Sequence, residues 1–103
     1  MNYYLKRNDS IQTEKVMLLE ALENYTLFHL NDGRKIISSL TLKRHQEKLE
    51  IEFFVRVNRS TIINKNFVKK ILLKDRTNFI RLKNGKEIKV SRRRQDTLSQ
   101  LAS

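Results

Sequence analysis

Apolar and polar residues alternate along two stretches of the chain that each end in an Asx-Gly pair followed by a basic residue. The first reads Tyr25-Thr26-Leu27-Phe28-His29-Leu30-Asn31-Asp32-Gly33-Arg34-Lys35-Ile36, and the second Thr77-Asn78-Phe79-Ile80-Arg81-Leu82-Lys83-Asn84-Gly85-Lys86-Glu87-Ile88. Period-two alternation marks strands, because successive side chains of an extended chain point to opposite faces. Glycine between two such runs supplies the positive φ of a tight hairpin. Each stretch therefore predicts a β-hairpin. The faces fix the loop length. A two-residue Asn84-Gly85 turn would set Leu82 opposite Glu87 and mix apolar with charged, whereas a three-residue loop ending in left-handed Gly85 sets Ile80 opposite Ile88 and Arg81 opposite Glu87. The same rule pairs Phe28 with Ile36. The glycines lie 52 residues apart, and aligning them matches Phe28 with Ile80, Leu30 with Leu82, Ile36 with Ile88 and Ser39 with Ser91. The chain carries a pseudo-repeat.

Between and around the hairpins the pattern is less regular. Phe53 to Ile63 reads as a third extended segment, with Phe53, Val55 and Val57 on one face and Arg56 and Asn58 on the other. Phe67, Val68, Ile71 and Leu72 follow a turn at Asn64-Lys65-Asn66 and predict a short helical turn leading into another strand at Ile71 to Leu73. Helices are expected after each hairpin: Leu40 to Leu49 with Leu42 and Leu49 inward, and Arg92 to Ala102 with Leu98 and Leu101 inward. Thr13 to Glu23 is ambiguous. Lys15-Val16-Met17-Leu18-Leu19-Glu20-Ala21-Leu22-Glu23 has high helix propensity, yet also fits a strand buried on both faces.

Composition narrows the function classes. At 103 residues and 39% apolar the chain supports one small core, and the expectation is a single domain over 1–103 with residues 1–10 as a lead or first strand. It contains no cysteine, which removes thiolate chemistry and sulfur-ligated zinc and suits a reducing compartment. The longest strictly apolar run is four residues, Val16 to Leu19, against the roughly 20 needed to span a bilayer, and the first residues lack a signal-peptide pattern. A cytoplasmic protein with no membrane partner is expected.

Charge changes the picture most. The formal net charge is +11, and it is segregated: residues 1–52 hold 8 basic and 8 acidic side chains, residues 53–103 hold 14 and 3. A basic half of this kind calls for a polyanion, of which nucleic acid is the leading class and an anionic protein or lipid the alternative. Ser91-Arg92-Arg93-Arg94 concentrates it. Three arginines in the first turn of a helix oppose the helix dipole, so their presence points to phosphate or to the acceptor edge of guanine rather than to stability. Arg59-Ser60 closes an apolar strand and reads equally as a solvent-exposed turn. Tyr25, Phe28, Phe53, Phe67 and Phe79 sit where a small core needs bulk, and no RRM signature supports base stacking. Asp75, Glu87 and Lys89 mimic the spacing of a metal-dependent nuclease, but Glu87 is also the expected cross-strand partner of Arg81. His29 and His45 have no companion ligands at metal-site spacing. No metal, cofactor or catalytic site is expected.

Taken in order, these residues resemble a known family. Phe54-Val55-Arg56-Val57-Asn58-Arg59-Ser60-Thr61-Ile62-Ile63-Asn64, then Val68 and Ile71, then Ile80, Leu82, Asn84-Gly85, Ile88, Val90-Ser91-Arg92-Arg93, and finally Leu98 and Leu101, resemble the LytTR DNA-binding domain. Leu18-Leu19-Glu20-Ala21, Asn24-Tyr25 and Ser39-Leu40 are similar upstream, so the likeness spans about residues 11–101. The resemblance implies a mainly β fold, an elongated antiparallel β-sheet sandwich with two short helices, and it makes Val16 to Ala21 a strand. It implies a bacterial transcription regulator whose loops enter successive major grooves of duplex DNA, on direct repeats and as a possible homodimer. Carried over by motif, the base-contacting positions are Asn24, Arg59 and Arg93. The backbone-contacting positions are Tyr25, Ser60, Asn64, Ser91, Arg92 and Arg94. LytTR domains commonly follow a receiver domain or membrane helices, which this sequence lacks; Met1 and the short lead favour a stand-alone regulator over an excised domain. A non-specific nucleoid or RNA-binding protein is the alternative reading.

Overall fold

In a computed structural model of the chain, which describes residues 2–6, 9–49, 52–94, 98 and 101, the alternating stretches fold as antiparallel sheets. The elements are β1 (Asn2–Lys6), β2 (Asp9–Gln12), β3 (Val16–Leu22), β4 (Tyr25–Leu30), β5 (Lys35–Ser38), α1 (Leu42–Lys48), β6 (Phe54–Asn58), β7 (Thr61–Asn64), β8 (Val68–Lys74), β9 (Thr77–Leu82) and β10 (Glu87–Lys89). Single 3₁₀ turns cover Thr13–Lys15, Lys65–Phe67 and Arg92–Arg94. The five-stranded sheet has the order β5-β4-β3-β7-β6, the three-stranded sheet the order β10-β9-β8, and β1 pairs with β2 alone.

The five-stranded sheet is the middle layer, and both of its faces are covered. On one face Leu19, Phe28, Leu30, Phe54 and Ile62 pack with Tyr3 of β1, with Leu42 of α1 and with Leu49 just after it. On the other, Leu18, Val55, Val57 and Ile63 pack with Ile80, Leu82, Ile88 and Val90 of the three-stranded sheet. A strand buried on both sides loses the period-two signal, which is why Val16 to Leu22 is a strand despite its helix propensity. A bulge between Val16 and Leu18 turns Val16 onto the same face as Leu19.

Both hairpins adopt the three-residue loop. Ile80 faces Ile88, Arg81 faces Glu87 and Phe28 faces Ile36. Gly33 and Gly85 have φ of 94° and 93°, and the Leu82 amide donates to the Lys86 carbonyl while the Gly85 amide donates to the Leu82 carbonyl. A 3₁₀ turn before β8 covers Lys65–Phe67 with Asn64 as its cap, earlier than the helical turn expected from Phe67 onward, and the strand starts at Val68 rather than Ile71.

Three expectations need correction. The segment from Phe53 to Ile63 is not one strand: it reverses at Arg59-Ser60 into the β6–β7 hairpin. Phe53 does not share a face with Val55 and Val57; it precedes β6 and is 43% exposed, while Phe54 fills the first core. The cause is that each face of β6 has its own apolar cover. The expected second helix begins as the 3₁₀ turn Arg92–Arg94. Its continuation falls largely outside the described residues, of which Leu98 and Leu101 are helical and pack on the second core. The molecule is elongated, 44 × 24 × 21 Å.

Candidate nucleic-acid interface

The β6–β7 turn is built by the residues beside it. Asn58 accepts at Oδ1 from the Ser60 amide (2.9 Å) and hydroxyl (3.2 Å) and donates through Nδ2 to the Lys89 carbonyl (2.7 Å). Arg56 donates to the Asn58 carbonyl through Nε (3.2 Å), to the Arg59 carbonyl through Nη2 (2.5 Å) and to Gln46 Oε1 of α1 through Nη1 (2.9 Å). The Ala21 amide donates to the Ser60 carbonyl (2.8 Å), tying the turn to β3. A bulge in β6 between Arg56 and Asn58 accompanies a further bond, from the Ser91 amide to the Val57 carbonyl (2.9 Å). The turn and the arginine run are thereby joined through backbone.

Arg59 stands where three open depressions meet. The largest, about 600 Å³, lies between Arg59-Ser60 and Arg76, Lys89, Ser91 and Arg92. A second, about 400 Å³, is lined by Arg56, Arg59, Ser91, Arg93 and Arg94. A third joins Arg59 and Ser60 to Glu23 of the β3–β4 turn and to Lys43 of α1. Among the described residues, eight basic side chains and the acid Glu23 line this surface. Like charges so placed repel one another and favour a bound polyanion. Burial, reinforced by the positive charge of Arg94, holds Arg56 below the usual guanidinium pKa.

The structure brings Arg59, Ser60, Ser91, Arg92, Arg93 and Arg94 together on this surface. Asn24 is exposed in the two-residue turn beside Glu23, and Tyr25 at the start of β4 is 49% exposed. Asn64 is elsewhere. It is 1% exposed, donates to the Val16 carbonyl (2.9 Å) and caps the Lys65–Phe67 turn by accepting from the Asn66 amide, so its side chain is committed to the interior, away from the surface around Arg59. Lys43 and Arg76 were not singled out from the sequence, and Lys89 only within the nuclease-like spacing. Arg76 had a legible signal, since Asp75-Arg76 separates two apolar runs; Lys43 lies in the half with no net charge and had none.

Among the described residues, the non-glycine positions with positive φ are Glu23 (55°), Asp75 (49°) and Arg76 (65°), all in turns of this end. Such backbone costs on the order of 1–3 kcal/mol each and collects where function requires a loop shape.

Residues outside the surface have structural partners. Glu87 accepts from Lys74 (2.6 Å) and from Arg81, which together hold its carboxyl below the usual range, and it stands opposite Arg81 as the alternation requires. Among the described residues no three His, Asp or Glu side chains gather as a metal site. His29 faces Glu20 at 3.1 Å. His45 is fully buried between the Tyr3 hydroxyl (2.6 Å) and the Ser38 hydroxyl (2.8 Å), edge-on to Phe28. Phe28 is core, while Phe67 and Phe79 are partly buried. No helix among the described residues is long and apolar enough to cross a membrane.

An antiparallel β domain whose turns form a basic end is the class that the fold and the site define. Residues 6–103 match the family described as the LytTr DNA-binding domain, and the chain belongs to that family. Its structure is similar to the LytTr DNA-binding domain of a protein from Bacillus cereus described as a methyl-accepting/DNA response regulator: TM-score 0.81, 26% identity, with 99% of this chain and 96% of that chain covered. Comparison with curated proteins gives no match. The chain is thus a DNA-binding domain of the transcription-regulator type, in a family that is not catalytic.

Proposed function

We propose that this domain binds a specific duplex DNA sequence and regulates bacterial transcription, reading major grooves through turns. The observation that carries this is the convergence on Arg59 of three depressions lined by eight basic side chains. Arg59 and Arg93 each have the fork that pairs with guanine O6 and N7, and Asn24 has the amide that pairs with adenine; such pairs discriminate by about 1–3 kcal/mol. Ser60, Ser91, Arg92, Arg94 and the Tyr25 hydroxyl contact phosphates and set the register. The 44 Å long axis exceeds the roughly 34 Å between successive major grooves of one face, so that one copy has the length to reach two of them. No step of this role needs a cofactor, metal or catalytic group, and a chromosomal ligand fits a cytoplasmic protein.

Titration of Arg59→Ala and Arg93→Ala against a preferred duplex and an unrelated one tests the assignment. Each change is expected to weaken preferred-site binding about tenfold or more and unrelated-duplex binding several times less. Equal losses on both duplexes would move these arginines to the phosphate class and favour a non-specific nucleoid or RNA-binding role.

A further inference from the structure

We infer that Arg56 and Asn58 are positioning residues for sequence readout: they buckle the Arg59-Ser60 turn and the Arg92–Arg94 turn into one rigid reading unit. The inference rests on the reading of Arg59 and Arg93 as base contacts.

Each of the three guanidinium nitrogens of Arg56 donates one N–H within the chain, to the carbonyls of Asn58 and Arg59 and to Gln46 of α1. Three of its five N–H groups thus close around its own turn and α1. Two donors from one planar group to two carbonyls of the same turn fix that turn's backbone as a single bond would not. The backbone so fixed is the one from which the Arg59 side chain departs. Asn58 works at right angles to it. Its oxygen takes the Ser60 amide and hydroxyl, and its nitrogen reaches the Lys89 carbonyl on the other sheet. Two residues past Lys89, the Ser91 amide returns a bond to Val57, within the β6 bulge. The span from Val57 to Asn58 is therefore bonded to both ends of the Lys89–Ser91 segment that leads into the arginines.

Base readout demands placement to a fraction of an ångström, whereas phosphate attraction tolerates error. Loosening the buckle thus degrades discrimination before affinity.

The test uses the full chain with Arg56→Lys, Arg56→Gln and Asn58→Asp. First, selection from random duplexes establishes the preferred site of the unaltered chain. Each variant is then titrated on that site and on an unrelated duplex over a series of salt concentrations, and its thermal midpoint is recorded. The expected result for Arg56→Lys, which keeps the charge and loses the fork, is about a tenfold fall in the preferred-to-unrelated affinity ratio, with unrelated-duplex affinity within about twofold and the midpoint nearly unchanged. Arg56→Gln is expected to lose the same ratio without reducing the salt slope; a slope smaller by about 1 would make Arg56 a phosphate ligand and overturn the inference. Asn58→Asp keeps the acceptor for Ser60 and loses the donor to Lys89, and a fall in the ratio is again expected. An unchanged ratio in a chain that does prefer one site overturns the buckle alone; no preferred site for the unaltered chain overturns the reading beneath it.

Discussion

A single buried imidazole should govern how this domain responds to acid. His45 lies between two hydroxyls and against Phe28, and burial, with a smaller contribution from the charge of Lys48, pushes its pKa down to about 4. In the unfolded chain a histidine titrates near 6.5. The unfolded state therefore takes up a proton that the folded state refuses, and stability falls as pH drops from about 6.5 toward 4, by up to about 3 kcal/mol. Asp32 and Glu87, whose pKa values are also lowered, act in the same direction but only below the carboxylate range. Urea unfolding at pH 7 and pH 5 isolates the histidine: the midpoint of the unaltered chain should drop clearly, and that of His45→Gln, though lower at pH 7, should barely move. Tyr3, pushed up to about 12 by burial, acts at the other extreme, with stability lost as pH rises above about 10. The place of Arg92–Arg94 was legible from their concentration of charge, and the structure sets them on the surface around Arg59. Residue roles were not legible where a polar side chain serves a distant strand. Nothing in the local spacing of Asn64 reveals that its amide is needed by the Val16 carbonyl, 48 positions away.

At the scale of elements the turns carry both the architecture and the interface. Gly33 and Gly85 sit at φ near +94°, and an added Cβ at either position would meet nothing within 4 Å. The cost of Gly85→Ala is then backbone strain alone, about 1–2 kcal/mol, readable as a lower thermal midpoint. Arg76 is the opposite case. It holds φ of 65° in the Asp75-Arg76 turn and lines the basic surface. Arg76→Gly should raise stability by about 1 kcal/mol. It should also weaken DNA binding and lower the salt slope by about 1. A variant that gains stability and loses affinity would mark the turn as strained for function. The two Gly hairpins were readable because one face of each strand differs chemically from the other, so that a wrong register would have mixed the faces. The β6–β7 hairpin was not, since both faces of β6 and β7 are buried and the reversal at Arg59-Ser60 uses neither glycine nor proline.

The whole molecule divides its labour between charge and core. The excess of +11 resides in residues 53–103, yet the surface it forms also recruits Lys43 and the Glu23 turn from the neutral half. This joint use follows from the sheet order, in which β7 lies beside β3 and so sets the Arg59-Ser60 turn next to the β3–β4 turn. Overall binding should weaken steeply with salt, as each phosphate neutralised releases counterions. Charge alone would give that slope to any basic protein; the distinguishing claim is discrimination between sequences. It is tested most directly by selecting from a random duplex library at about 150 mM salt, where purely electrostatic binding is suppressed, and sequencing the bound pool. Enrichment of one motif, with short direct repeats a helical turn apart, is the outcome predicted for turns reading successive grooves. A pool as random as the input would contradict that claim.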